Sequence, residues 1–487
     1  MKRFFWILIA AALLTACKEE VLIIPDQPTH IPELPELTEP EELPLVNDVM
    51  EVIDDPYFAR YCLVRFDTNG DGKLSMAEAE RAERIIYDED TPEQQADYSR
   101  FISMKGIEYF KNLEALEVRS SVLTELDLSH NSNLKELRFS LAQGQCHLKR
   151  LNVSQTRLEE LVIPSSQIEE LLVSGSRLKR LTIYTTEQHL KSLDVRYCEE
   201  LETLEAYNCT FPSLDLRYCP RLRTLRLFGA KLQTLDLSQN AALETLELMR
   251  CGLNSISLKN NKKLAFLDLS SNSLYSIDLS ALSELVSLVL SENPITSIDI
   301  SKNEKLRSLG MDSTAISTLN TDNNNELNSL TCDNAKLSKL DLSTNSRLEL
   351  LSCSGNQLSE LNITPRVGGN LKALHCANNR FVSLDLSTLT LTNWSKEMNH
   401  DFYANQFAPQ PHLEVLTLSE TTQQVDIEQF SGCPKLRKVI LHASEVPELF
   451  YEGEITPSGA TLYVPSETIA SYQNSDWAKA FAEVRSL

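Results

Sequence analysis

The chain has 487 residues, and 69 acidic side chains outnumber 46 basic ones for a formal net charge of −23. That surplus argues against a nucleic-acid partner, because a phosphate backbone is held by Lys and Arg. At this length two or more ordinary domains are expected, unless internal periodicity overrides the expectation.

Residues 1–16 read as a lipoprotein signal peptide. Lys2 and Arg3 precede an apolar run from Phe4 to Leu14, and Leu14-Thr15-Ala16-Cys17 forms a lipobox. In such a signal the Cys17 thiol takes the lipid and becomes the mature N-terminus; the apolar run is too short to span a bilayer. Residues 17–48 then carry Pro25, Pro28, Pro32, Pro35, Pro40 and Pro44 among many glutamates. That composition favours extended, solvated chain, a tether reaching on the order of 80 Å at about 3.1 Å per residue.

Between 49 and 112 the stretch "FDTNGDGKLSMAEAE", Phe66 to Glu80, has the spacing of an EF-hand calcium loop. Asp67, Asn69 and Asp71 stand at positions one, three and five, the Lys73 carbonyl at seven, Ser75 at nine acting through water, and Glu78 at twelve as a bidentate carboxylate. Gly72 at six permits the sharp turn, and Leu74 at eight anchors the loop to a core. "DPYFARYCLVRF" before it, with Pro56 in the first turn, and "SMAEAERAERIIY" after it predict a helix–loop–helix. No second such loop occurs, since "NTDNNNE" at Asn320 falls on the repeat grid, so a paired calcium sensor is not expected. The expected role of Ca2+ is structural, bracing a cap over the first coil through the Ile107–Phe110 entry segment.

From Leu113 a unit L-x-x-L-x-L recurs, and from Leu201 to Leu348 its first leucine returns every 21 residues. Regularity of that kind predicts a leucine-rich-repeat solenoid over 113–390, a β-rich right-handed coil. At position nine of the second half-unit stand Asn131, Cys198, Cys219, Asn240, Asn261, Asn303, Asn324 and Asn345, with Leu282 as the exception. Inward Asn satisfies backbone groups where each coil turns, and Cys is a small buried substitute. Cys209 is assigned to the same ladder; Cys332, Cys353 and Cys376, at the last leucine of the motif, are expected in the core as thiols rather than disulfides. After a break at 391–412 a longer repeat fills 413–487, ending in a cap in which one strand joins a short helix bearing Tyr472, Trp477 and Phe481.

The calcium loop, the segment "ISMKGIEYFKNLEALEV", the "LDLSxN" half-repeats and "YVPSETIASYQNSDW" together resemble the leucine-rich-repeat lipoproteins of gut and oral Bacteroidetes, with BspA-like terminal repeats. Lys18-Glu19-Glu20 resembles the tag that sends such lipoproteins to the outer face of the outer membrane. The resemblance implies a cell-surface binding or adhesion protein, held to the membrane by its lipid alone, that captures a surface or host protein; a glycan is the alternative partner. It carries over no ligand residues.

An enzyme is not expected, because no H-E-x-x-H, nucleophile elbow, phosphate loop or placed Ser/His/Asp set occurs. The repeated aspartates Asp194, Asp215, Asp236, Asp278, Asp299, Asp341 and Asp385 belong to the fold if each bonds backbone locally. Recognition then falls to outward positions that do not repeat. Four neighbouring coils offer Glu205 and Tyr207, Arg226 and Phe228, Glu247 and Met249, then Phe266 and Asp268, mixing aromatic anchors with charge. A second candidate is the break, where Trp394, Phe402, Tyr403 and Phe407 either stack on sugar or pack the junction.

Overall fold

The computed structural model describes residues 40–86, 99–140, 146–185, 190–232, 234–363, 370–394, 405–451, 453–455 and 457–487, all within the compact unit Leu37–Leu487. Cys17, the Lys18-Glu19-Glu20 tag, most of the tether, Phe402 and Tyr403 lie outside the described residues.

Each repeat lays down one short strand, and successive strands pair in parallel with the register advancing one unit per step. Leu204 faces Leu225, Leu225 faces Leu246 and Leu246 faces Leu267. Eleven such strands, from Glu160–Ser166 to Ala373–His375, make one sheet. Because strand side chains alternate between faces, the leucines at motif positions four and six point inward and their neighbours outward. Leu204, Leu225, Leu246 and Leu288 are fully buried. The fold is therefore a leucine-rich-repeat solenoid. A second side carries the four-stranded parallel sheet Glu125–Asp127, Arg150–Asn152, Glu170–Leu172 and Ser192–Asp194.

Two buried ladders, rather than one, run along the coil. In the expected ladder each Asn Nδ2 donates to carbonyls of the coil before: Asn303 to Leu282 at 2.8 Å and Leu279 at 3.2 Å, Asn324 to Asn303 at 2.9 Å and Ile300 at 3.2 Å. Cys198 and Cys219 replace Asn there, their thiols donating to the Val173 and Val195 carbonyls. Cys209 is a correction: it stands on the second ladder, at the end of the first half-unit, with Cys251, Asn272, Asn293, Asn356 and Asn379. Asn272 Oδ1 accepts the Cys251 and Leu253 amides while its Nδ2 donates to the Leu248 carbonyl at 2.7 Å. Both half-units close the same way, so both need an inward polar group at the turn. All ten described cysteines are buried free thiols, and burial raises Cys332, Cys353 and Cys376 well above the usual thiol range.

The caps depart from the helix–loop–helix expectation. The first helix, Pro56–Phe66, is present, capped by Asp55, which accepts the Tyr57 and Phe58 amides. Its Phe58 packs on Phe101 and Phe110, and Asp55 also accepts the Ile102 amide, tying helix to entry segment. The second helix is a single turn, Met76–Ala79; Arg84–Ile85 pairs instead with Ala115–Leu116, because a buried β-branched Ile85 completes the first sheet edge. At the other end, strand Ser458–Val464 leads to two short helices, Ile469–Gln473 and Trp477–Ala480, and then to a parallel strand, Phe481–Ser486, where one helix was expected. Tyr472, Trp477 and Phe481 do share one buried cluster, closed by Phe430.

At the break the coil changes phase. Ser383–Asp385, a second-half strand, pairs with Val415–Leu418 of the next unit. Trp394 and Phe407 are fully buried with ring centroids 5.5 Å apart, so they pack the junction and offer no sugar platform.

Candidate functional site

The strand sheet turns its non-repeating side chains outward in register. Glu205 stands opposite Arg226 and Arg226 opposite Glu247, with Asp268 next; Tyr207, Phe228 and Met249 form the adjoining column. Arg226 lies between two carboxylates, donating to Glu205 from Nη1 and to Glu247 at 2.9 Å from Nε. Three acids to one base leave the column negative. Burial among these neighbours, with Glu247 adding repulsion, raises the Asp268 carboxyl although the Ser270 hydroxyl and amide donate to it.

Phe266 is off this column. It pairs with Thr245 and Ser287, one outward position earlier, and is 50% exposed; its coil places Ser270 where Met249 would continue. Tyr184, which the sequence pattern did not single out, joins the column instead. Its ring stacks on Tyr207 at 5.1 Å with planes 6° apart, and Arg250 covers the Phe228 ring at 5.8 Å. Counted from Leu178 and Leu201, the first leucines of their coils, both tyrosines stand at position seven, so the match was present in the sequence and went unused. Desolvation pushes the Tyr207 hydroxyl up to about 12, first by burial and then by Glu205.

The repeated aspartates are structural. Asp236, Asp278, Asp299 and Asp341 each accept the amide two residues on, as do Asp194 and Asp215, which also hold Arg196 and Arg217. These are local turns, not a catalytic pair.

In the loop at 67–78, Gly70 and Gly72 take φ of +72° and +75°, and Asp67 accepts their amides at 2.7 and 2.9 Å. Asp71 accepts the Lys73 amide, Asn69 Oδ1 accepts the Asp71 amide and Leu74 is buried. That winding fits a calcium loop. Glu78 reaches back to the loop: Oε1 accepts the Thr68 amide and hydroxyl, Oε2 the Ser75 amide and hydroxyl. The Ser75 hydroxyl, Ser75 amide and Thr68 donors hold the Glu78 carboxyl down to about 2. Glu78 is thus a clasp between loop ends, and among the described residues no three His, Cys, Asp or Glu side chains converge as a metal-ligand set. Ser75 caps the following turn, its hydroxyl also accepting the Glu78 amide at 3.3 Å.

The geometry defines a class, the leucine-rich-repeat solenoids with an outward strand face. No protein-family model and no curated protein matches the chain. Among solved structures it is similar to the functional domain of InlJ from Listeria monocytogenes, which includes a cysteine ladder, at 23% identity over 86% of this chain and 82% of that one, with a TM-score of 0.53. It is also similar to the leucine-rich-repeat protein LIC12759 of Leptospira interrogans, at 18% identity over 70% and 93%, TM-score 0.48. The internalin InlF of Listeria monocytogenes matches at 18% over 82% and 97%, TM-score 0.38.

Proposed function

We propose that this chain is a non-catalytic surface lipoprotein, anchored in the outer membrane through Cys17 and facing the exterior, that captures a protein ligand on the strand face of its solenoid. One observation carries the choice of protein over glycan. The Tyr184 and Tyr207 rings lie face to face and Arg250 covers Phe228, so one face of each of these rings is already occupied. Sugar stacking needs a free ring face, whereas a protein surface packs on edges, on Met249 and against the Glu205–Arg226–Glu247 charges. Ca2+, held by Asp67, Asn69, Asp71 and the Lys73 carbonyl with Glu78 turning from its clasp, would brace the N-terminal cap; the glycine winding supports this.

The lipid-free protein, applied side by side to an array of cell-surface and host proteins and to a glycan array, tests the reading. Protein hits lost in Tyr207→Ala and Arg226→Ala are expected. Glycan hits that survive both substitutions would defeat it.

A further inference from the structure

The five-stranded sheet at the far end of the coil runs Ser383–Asp385, Val415–Leu418, Lys438–Leu441, Ser458–Val464 and Phe481–Ser486, and among the described residues its last strand has a partner on one side only. The register fixes where that strand's main chain points. Val484 stands opposite Leu462 and Ser486 opposite Val464, with the Leu487 amide on the Val464 carbonyl at 2.8 Å. The amide and carbonyl of one strand residue face one neighbour and those of the next residue face the other. Glu483, Arg485 and Leu487 therefore bond back to Ser458–Val464, while Ala482, Val484 and Ser486 turn theirs to the open edge, where no described residue bonds to them. Ala482, Glu483, Arg485 and Ser486 are exposed, and Val484 is half-buried against the core. The strand has no proline, and the one irregularity of the pair, between Ser458 and Thr461, lies before these residues.

An open edge is a template for another strand, and charge decides which one. Glu483 and Arg485 share a face, opposite Thr461 and Tyr463, are 50% and 56% exposed, and bond each other at 2.7 Å. Opposite charges two residues apart match a copy of themselves only when the copy runs antiparallel. With Val484 on the axis, Glu483 meets Arg485 of the second copy and Arg485 meets its Glu483, both as non-hydrogen-bonded pairs, in which side chains stand closer. In the same register Val484 exchanges both bonds with its counterpart, and Ala482 does so with Ser486 of the second copy, so every open main-chain group is satisfied. Sliding Glu483 or Arg485 onto the axis sets like charges opposite, and a parallel pair does so at both positions, which destabilises.

We infer that Phe481–Ser486 is the seat of a homodimer: a second copy of this chain adds its own Phe481–Ser486 antiparallel, and the sheet continues across a two-fold axis at Val484. This surface is separate from the aromatic column and stands or falls without it.

The lipid-free chain, sedimented at about 1 to 200 µM, should pass from monomer to dimer within that range, as suits a small edge interface. Glu483→Arg sets two pairs of arginines opposite and should raise the dimer Kd at least about tenfold; Arg485→Glu should do the same with glutamates. Mixed in equal amounts, the two variants should pair with each other. The double variant Glu483→Arg/Arg485→Glu should dimerise as the unaltered chain does, and Tyr207→Ala should change nothing. Hydrogen exchange at Ala482, Val484 and Ser486 should slow as the dimer forms, whereas Glu483 and Arg485 are already slow in the monomer. A chain that stays monomeric throughout the range would overturn the inference. So would a dimer that both single reversals leave intact, or one in which the Ala482, Val484 and Ser486 amides exchange as fast as in the monomer.

Discussion

Asn303→Ala tests the ladder that sets the coil. The side chain is fully buried, and its Nδ2 is the donor for the Leu282 and Leu279 carbonyls. Removing it takes the second donor from both carbonyls, which keep the Leu282 and Leu285 amides, and so loses two hydrogen bonds at about 1 kcal/mol each. The Asn303 Oδ1, however, has no partner in the fold, so the substitution also removes one orphan of about the same cost. The net loss is about 1 kcal/mol. With an unfolding entropy of about 2.1 cal/mol/K per residue for a coil of this length, melting as one unit, that lowers Tm by roughly 1 °C in calorimetry. Asn323→Ala is the control, because that exposed side chain donates only to the Ser301 carbonyl at 3.0 Å, and its shift should stay within about 0.5 °C. Equal shifts for the two variants would refute the view that inward amides, rather than leucine packing alone, hold the turns.

Chelation of calcium should lower the melting temperature of the N-terminal cap while strand circular dichroism persists, and Asp67→Ala should abolish the difference between chelated and calcium-loaded protein. On the strand face, Tyr207→Ala should cost at least about 2 kcal/mol of binding to a captured protein, and Phe266→Ala, one position outside the column, less than about 1, read by titration calorimetry. The pH dependence is also set. The Ser280 hydroxyl and amide lower Asp278, and the Ser301 and Ser343 amides and hydroxyls lower Asp299 and Asp341. Folded-state values below the unfolded value near 3.9 stabilise above that pH, and the contribution is lost as pH falls through the folded values. Melting temperature should therefore drop below about pH 4. Replacing all three by Asn should make that limb shallower, by removing a contribution present at pH 7, while keeping the turns, because Asn320 already makes the same turn, accepting the Asp322 amide at 2.8 Å.

The coil was legible because its signal is periodic and repeated: leucines on a 21-residue grid have one way to face inward together. The aspartate turns were legible for the same reason. What escaped lay off the grid or in three dimensions. The stacking of Tyr184 on Tyr207 shows only in three dimensions, although both stand at position seven of their coils, and Phe266 reads as an anchor in sequence but pairs with Thr245. The single-turn Met76–Ala79 helix is a tertiary override: the run after Glu80 has good helix formers, yet Ile85 is worth more buried against the first coil.

The sheet break between Glu136–Phe139, which ends a three-stranded sheet, and Glu160–Ser166, which begins the eleven-stranded one, follows from neither insertion length nor composition alone. The step from Leu134 to Leu158 is 24 residues, but the 23-residue steps to Leu201 and Leu371 keep their strands paired within the eleven-stranded sheet. An extra loop therefore does not of itself separate adjacent coils. What differs here is that Pro164 sits in the Glu160–Ser166 strand, where it has no amide to give, and that the register on Arg180–Thr185 shifts between Ile163 and Ser166. Proline within a strand belongs at an edge. Lys135, Arg138, Glu159 and Glu160 flank the gap with charge, another device that keeps an open edge from pairing with arbitrary chains. The sheet therefore ends at a strand whose own proline keeps it from continuing, although the second side of the same two coils stays paired, Leu151 opposite Leu171.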